Sequence, residues 1–335
     1  MTKKYDVYAI GNALMDMEHE VQDDFFKAHG IDKGLMTLVD EERQNALLMA
    51  LDGKLKKQQC GGSAANSIIA TAQFGGKGFY SCKVAADAIG DLYFQDMQEH
   101  GIDSNLGSIK REEGVTGKCL VLITPDAERT MNTYLGVSSS LSVNEIVPEA
   151  IEHSKYMYME GYLVASPTGK DAAVYARQIA EKNNVKTALT FSDVNMVRYF
   201  KEGMLEMIGN QVDLLFTNES EAFAFTDTSD ILSAREALKK FARTFVITRG
   251  ENGAMIFDGD TFIDIEPYVV KAIDSNGAGD MFAGAFLYGI THGHSYASSG
   301  KLASLAASKV VSQFGPRLKW HEAQDIKSQV FTTIA

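Results

Sequence analysis

Short runs rich in β-branched and aromatic residues alternate with stretches of helical character over most of the chain. Runs at 6–10, 79–84, 156–159, 187–191, 213–216 and 245–248 predict core strands, and 64–74, 168–183, 233–242 and 295–311 predict helices. This alternation is the mark of a layered α/β fold with a largely parallel sheet. Thr168 and Ser233 stand where N-caps are expected, and Gly75-Gly76 supplies a stop after the first of these helices. Two stretches break the rhythm. In 13–59 polar and apolar residues mix around one helix-like run, and in 107–138 the segment 118–124 reads as a strand of a meander. Both predict a β-rich lid, discontinuous in sequence, over a core made of 1–12, 60–106 and 139–335. No Pro-rich or Gly/Ser-rich linker separates lid from core, so a tight hinge is expected.

With 335 residues, 45% of them hydrophobic, the chain can bury a large core. A formal charge of -12 excludes a surface built for nucleic acid or anionic membrane, which needs clustered Lys and Arg. The basic start Met1-Thr2-Lys3-Lys4 runs directly into Tyr5-Asp6, not into an apolar secretory segment, and no run approaches the roughly 18 apolar residues of a membrane span. Cytoplasm is the simplest address. Cys60, Cys82 and Cys119 show no metal or disulfide spacing and read as buried thiols. The seven histidines, His292 and His294 among them, lack further ligands at helical spacing.

Chemistry concentrates in Asp274-Ser275-Asn276-Gly277-Ala278-Gly279-Asp280, which precedes a helical run at 281–290. Gly277, Ala278 and Gly279 open a helix, so their amides and the helix dipole favour an anion such as a phosphoryl group in transfer. Asp280, in the first turn, can accept the proton of an attacking hydroxyl. A glycine-rich helix start with an acid that only complements the dipole has the same appearance. Gly61-Gly62-Ser63-Ala64-Ala65-Asn66 is a second set of small residues before a helix, where backbone can approach a ligand and Asn66 can both donate and accept. Gly11-Asn12-Ala13-Leu14-Met15-Asp16 follows the first strand and ends in a carboxylate able to grip vicinal hydroxyls. Taken singly, either segment is also what an ordinary turn looks like.

Together with Asn218-Glu219-Ser220-Glu221 and Thr248-Arg249-Gly250-Glu251-Asn252-Gly253, these segments resemble, in order and spacing, the ribokinase-like (PfkB) carbohydrate kinase family, over nearly the whole chain. The resemblance implies a three-layer Rossmann-like fold, ATP and magnesium as cofactors, and a small nucleoside or sugar as acceptor. It implies Asp280 as base, Gly277, Ala278 and Gly279 as anion hole, and Asn12, Asp16, Gly62, Ser63 and Asn66 on the acceptor. It further implies Asn218, Thr248, Gly250 and Gly253 near ATP, with Glu221 organising magnesium through water. Within the family the motifs are most similar to the adenosine kinase branch. There Arg129, in Asp126-Ala127-Glu128-Arg129-Thr130, matches a lid arginine that closes over the phosphates, and Tyr162 an aromatic that stacks on the purine. An aromatic just after a buried strand is also ordinary core.

Ser275 replaces the family's commoner threonine and keeps its hydroxyl. Relatives often hold potassium beside the anion hole, through carbonyls that side chains do not reveal, and act as monomers or homodimers; both points stay open. A nicotinamide-dependent dehydrogenase fails because the 11–16 segment lacks the second and third glycines of the dinucleotide fingerprint. The resemblance leaves three readings: a kinase making AMP from adenosine, a kinase of ribose, fructose or a related sugar, and a non-catalytic nucleoside-binding protein.

Overall fold

The computed structural model describes residues 3–331 except 52, 54 and 127. Met1 and Thr2 of the basic start, and Ala127 near Arg129, lie outside the described residues. Fourteen strands are found there: β1 (Tyr5–Ile10), β2 (Leu14–Glu20), β3 (Met36–Leu38), β4 (Leu55–Gly61), β5 (Gly78–Ser81), β6 (Asp103–Ser104), β7 (Thr116–Ile123), β8 (Arg129–Gly136), β9 (Ser154–Glu160), β10 (Lys186–Thr190), β11 (Val212–Asn218), β12 (Ala242–Thr248), β13 (Ala254–Phe257) and β14 (Phe262–Ile265).

Nine of them form one sheet in the order β14-β13-β12-β11-β10-β9-β1-β5-β6. Pairing is parallel from β12 to β6, and only β13 and β14 are antiparallel. Every residue of β1 is buried. Its side chains alternate: Val7 and Ala9 enter one apolar cluster, Tyr8 and Ile10 the other. The first cluster takes the helices Ser63–Gln73, Ala278–Thr291 and Tyr296–Val311, the second the helix Pro167–Lys182, giving three layers. No helix among the described residues is long and apolar enough to cross a membrane.

The five remaining strands form a second sheet, β3-β8-β7-β2-β4. Two short helices, Asp23–His29 and Glu41–Ala50, lie over one face and close a small cluster of Phe26, Leu47, Leu51, Leu120 and Leu122. The single helix-like run expected between 13 and 59 is therefore two helices; Glu41–Ala50 buries only Gln44 and Leu47, too little to mark an apolar face.

Several boundaries also differ from expectation. The helix start near 168 is capped by Ser166, whose hydroxyl accepts from the Gly169 amide, with Pro167 in the first helical position, so Thr168 lies inside the first turn. Asp230, not Ser233, caps the helix Ile231–Leu238; the Ser233 amide donates to the Asp230 carboxylate at 2.9 Å. That helix stops before 242 because Ala242 begins β12. The strand expected to reach 84 ends at Ser81, where Asn105 takes over both backbone groups of Cys82.

Candidate functional site

The order of the large sheet reverses between β1 and β9, and ligands of such folds collect at the carboxyl ends of the strands beside that switch point. A cleft opens there under the second sheet, bordered by Asn12 after β1 and by the last residues of β9 to β12: Glu160, Thr190, Asn218 and Thr248. From the other side it meets Leu14 and Asp16 of β2, and Arg129, Met131, Thr133 and Leu135 of β8. Those side chains are two residues apart, as they must be to share one face of a strand.

The helix Ala278–Thr291 begins at this cleft. Its N-cap, Gly277, has φ +71°, and a Cβ there would stand 2.0 Å from the Pro316 Cβ, so both conformation and space call for glycine. Gly279 borders the cleft in the open, while the Ala278 amide is turned to the Ser275 carbonyl at 3.3 Å and Ala278 does not border it. Asn276 also borders the cleft, and its amide nitrogen is buried without a hydrogen bond of ordinary geometry. That nitrogen is turned to the Glu18 carboxylate, so what suits an anion here is the open helix start itself.

Asp280 lies in the first turn, half-buried. One carboxylate oxygen accepts from the Ser63 hydroxyl at 2.7 Å and the other from the Asn66 amide at 3.2 Å. Burial raises its pKa, opposed by these two donors and by Arg129 and Arg317. The carboxylate thus stands ready to accept a proton. The segment at 61–66 is shaped by close approach: a Cβ on Gly61 would fall 2.1 Å from Asp16 Oδ2. Asp16 is itself buried, and burial pushes it up to about 8, with Glu18 adding to the shift and Arg317 opposing it.

Glu160 carries no motif and was not expected, yet it ties the site together. One of its oxygens accepts from the Asn12 backbone amide at 2.7 Å and from the Asn12 side chain at 2.9 Å, and the other from the Ala64 amide at 2.8 Å. It therefore bridges the switch point to the start of the Ser63–Gln73 helix. Burial pushes it up to about 7. Its signal in the sequence is only an acid at the end of an apolar strand.

The remaining expected residues divide. Gly62, Ser63, Asn66, Arg129, Tyr162, Asn218, Glu221 and Thr248 border the cleft with Asp280; Gly250 and Gly253, in the turn after β12, do not. The Arg129 guanidinium donates to the Met131 sulfur at 3.2 Å and lies within electrostatic reach of Asp280, Asp193 and Tyr162. The Tyr162 ring packs against the second apolar cluster with one side toward the cleft, and its hydroxyl donates to the Ser192 carbonyl at 3.3 Å. Asn218 and Glu221 form a reciprocal cap, each side chain bonded to the other's backbone amide. Burial pushes Glu221 up to about 7. No group of three or more His, Cys, Asp or Glu side chains among the described residues could hold a metal alone. A single carboxylate fits magnesium held mainly by phosphate oxygens and water.

Comparison with known proteins identifies the family to which the chain belongs. The crystal structure of adenosine kinase from Sinorhizobium meliloti superposes with a TM-score of 0.92 at 34% identity, covering 97% of this chain and 99% of that one. A probable sugar kinase from Rhizobium etli CFN 42 gives 0.92 at 32% identity, over 98% of this chain and 100% of that one. The adenosine kinase of Saccharomyces cerevisiae is 27% identical over 92% of this chain and 95% of its own length. A 5-dehydro-2-deoxygluconokinase of Clostridium beijerinckii is 28% identical over 76% and 79%. The model of the pfkB family carbohydrate kinases matches residues 41–323. The chain belongs to the pfkB family of carbohydrate kinases and is an ATP-dependent kinase that phosphorylates an alcohol group.

Proposed function

We propose that the acceptor is a nucleoside, adenosine above all, and that the product is its 5′-monophosphate. The observation that supports this most is the composition of the cleft: Tyr162 and an apolar lid face of Leu14, Met36, Met131 and Leu135 share it with the polar pair Asp16 and Asp280. A flat, largely apolar base suits the first set, and a ribose the second. Residues 13–59 and 107–138 act as the lid in this reading, and 1–12, 60–106 and 139–335 as the core.

Asp16 and Asn12 hold the 2′- and 3′-hydroxyls, with Gly62, Ser63 and Asn66 shaping the floor, so that the 5′-hydroxyl points at Asp280. Asp280 takes the hydroxyl proton as the oxygen–phosphorus bond forms and the bond to the ADP leaving oxygen breaks. Gly277, Gly279 and Arg129 stabilise charge on the phosphoryl oxygens, and Ala278 contributes through the helix dipole. Asn218, Thr248, Gly250 and Gly253 lie along the nucleotide side. Glu221 would hold magnesium through water, and the ion when bound would neutralise phosphate charge. No step is assigned to potassium.

Phosphoryl transfer from ATP to adenosine, ribose and fructose, offered in turn, tests the reading. Adenosine is expected to give the highest kcat/KM. Tyr162→Ala should raise the nucleoside KM by about five- to a hundredfold, as loss of about 1–3 kcal/mol of base stacking would. Asp16→Ala should harm every acceptor that carries a vicinal diol. Preference for a free sugar, with the nucleoside KM unmoved in Tyr162→Ala, would leave the sugar-kinase reading in its place, with Asp16 and Asp280 keeping their roles.

A further inference from the structure

Arg317 is a buried cation that the chemistry above leaves unused. It lies in the coil between the helices Tyr296–Val311 and Trp320–Phe331, with its side chain 8% exposed. Its guanidinium is divided three ways. Nε donates to Asn66 Oδ1 at 3.1 Å, Nη1 to Asp96 Oδ2 at 2.7 Å, and Nη2 to the Cys60 carbonyl. Asp96, on the helix Ala88–Glu99, also faces His100 one turn on.

We propose that Arg317 is a positioning residue for the base, fixing which end of the Asn66 amide faces Asp280. An amide has an accepting and a donating end of nearly equal shape, and a guanidinium can only donate. With its oxygen held by Arg317, Asn66 must turn its nitrogen to Asp280, where it is found at 3.2 Å. The bond to the Cys60 carbonyl anchors the strand end leading into Gly61-Gly62-Ser63, which places the Ser63 hydroxyl on the other oxygen of Asp280. One side chain thus steadies both donors to the base. Asp96 fixes the far side of the fork, so the buried charge is paired and cannot swing away.

The consequence is electrostatic. If the Asn66 amide were free to turn, its oxygen could face the carboxylate, favouring the protonated acid and raising the pH needed to ionise the base. The other charged groups within electrostatic reach of Asp280 are Arg129, Asp16 and Glu160, and Tyr158 and Tyr162 lie near it with their hydroxyls bonded to Ser67 and to the Ser192 carbonyl. Arg317→Lys is the informative variant, because it keeps the charge and breaks the fork: one ammonium on a flexible stem cannot hold all three acceptors in this geometry.

The proposal rests on Asp280 as base, and the experiment separates the two. The pH profile of kcat is measured with MgATP and adenosine, or with ribose if adenosine is not turned over, for wild type, Arg317→Lys, Asn66→Ala and the double variant. Circular dichroism monitors the fold. Arg317→Lys is expected to lower kcat about tenfold and to move the acid limb about one unit toward higher pH, with the KM for ATP within about twofold. In the Asn66→Ala background the same change should move the limb by clearly less, because only the route through Cys60 and Ser63 is left. An unmoved limb, or equal shifts in both backgrounds, would overturn the proposal. If Arg317→Lys does not fold, Asp96→Asn, which loosens the fork from its far side, must give a smaller shift in the same direction, and an unmoved limb there overturns it equally. Asp280→Asn with near-normal turnover would instead remove the underlying reading of the base.

Discussion

Asp280 is half-buried between two neutral donors and two cations, and this arrangement is suited to a base that stays ionised in a partly desolvated cleft. Asp280→Asn keeps the shape of the side chain and removes its basicity. Turnover should fall by about a hundredfold to ten-thousandfold, while ATP affinity, set by other groups, stays within a few-fold. Single-turnover kinetics with a nucleotide titration separate the two quantities, and near-normal turnover would take Asp280 out of the mechanism. Asp280 could be found in the sequence because its neighbours in the chain, the glycines of the helix start, are also its neighbours in the site. Glu160 and Arg317 could not. Glu160 works through Asn12 and Ala64, 148 and 96 positions away, and Arg317 through Asn66, 251 positions away, so no local window contains the partners that give them meaning.

Among the elements, the start of the Ala278–Thr291 helix is the most constrained. Gly277 sits at φ +71° with Pro316 pressed against the place of its missing side chain. Gly277→Ala adds about 1–2 kcal/mol of left-handed strain and about 1–3 kcal/mol of overpacking. The variant should therefore unfold at a lower temperature, seen by calorimetry, and should lose turnover more than acceptor affinity, because the helix amides proposed to face the phosphoryl group move while the proposed acceptor floor does not. Unchanged stability would mean that the loop at 315–317 yields easily. Six strands of the large sheet, β1, β5 and β9 to β12, were readable because burial gives them continuous apolar runs, whereas the antiparallel edge pair β13 and β14, of four residues each, was not expected. The second sheet was harder for an opposite reason. In β2, Leu-Met-Asp-Met-Glu-His-Glu, Asp16 points into the cleft while Met15 and Met17 pack in apolar clusters. Its inner face thus borders the cleft, and its alternation resembles that of a surface strand turned inside out. β3, with three residues, and β6, with two, are too short for any periodicity to register.

For the molecule as a whole, the site is held in a fold that buries several acids on one side. Burial pushes Asp16 up to about 8 and Glu18, Glu160 and Glu221 up to about 7. Glu18 is the least supported of these. It is fully buried, the Asn276 amide that donates to it does so without ordinary geometry, and Asp274 beside it adds repulsion that Lys57 only partly offsets. The sign of its effect on stability follows from which state holds the proton. Below the ordinary glutamate value of 4.5 both states are protonated, and the neutral acid is buried without an ionisation penalty. Between 4.5 and about 7 the unfolded chain has ionised while the folded one keeps its proton, so unfolding releases a proton and stability falls as pH rises. Above that range the loss is complete and amounts to about 2–4 kcal/mol for this one group. Glu18→Gln keeps the shape and cannot ionise. Its melting temperature should therefore decline less than that of the wild type between pH 5 and pH 8, by roughly 2–5 °C. The comparison is made by calorimetry without nucleotide, so that ligand binding does not shift the midpoint. Parallel declines in the two proteins would show that Glu18 is ionised and paired in the fold, and would turn attention to Asp16, Glu160 and Glu221 as the source of any remaining slope.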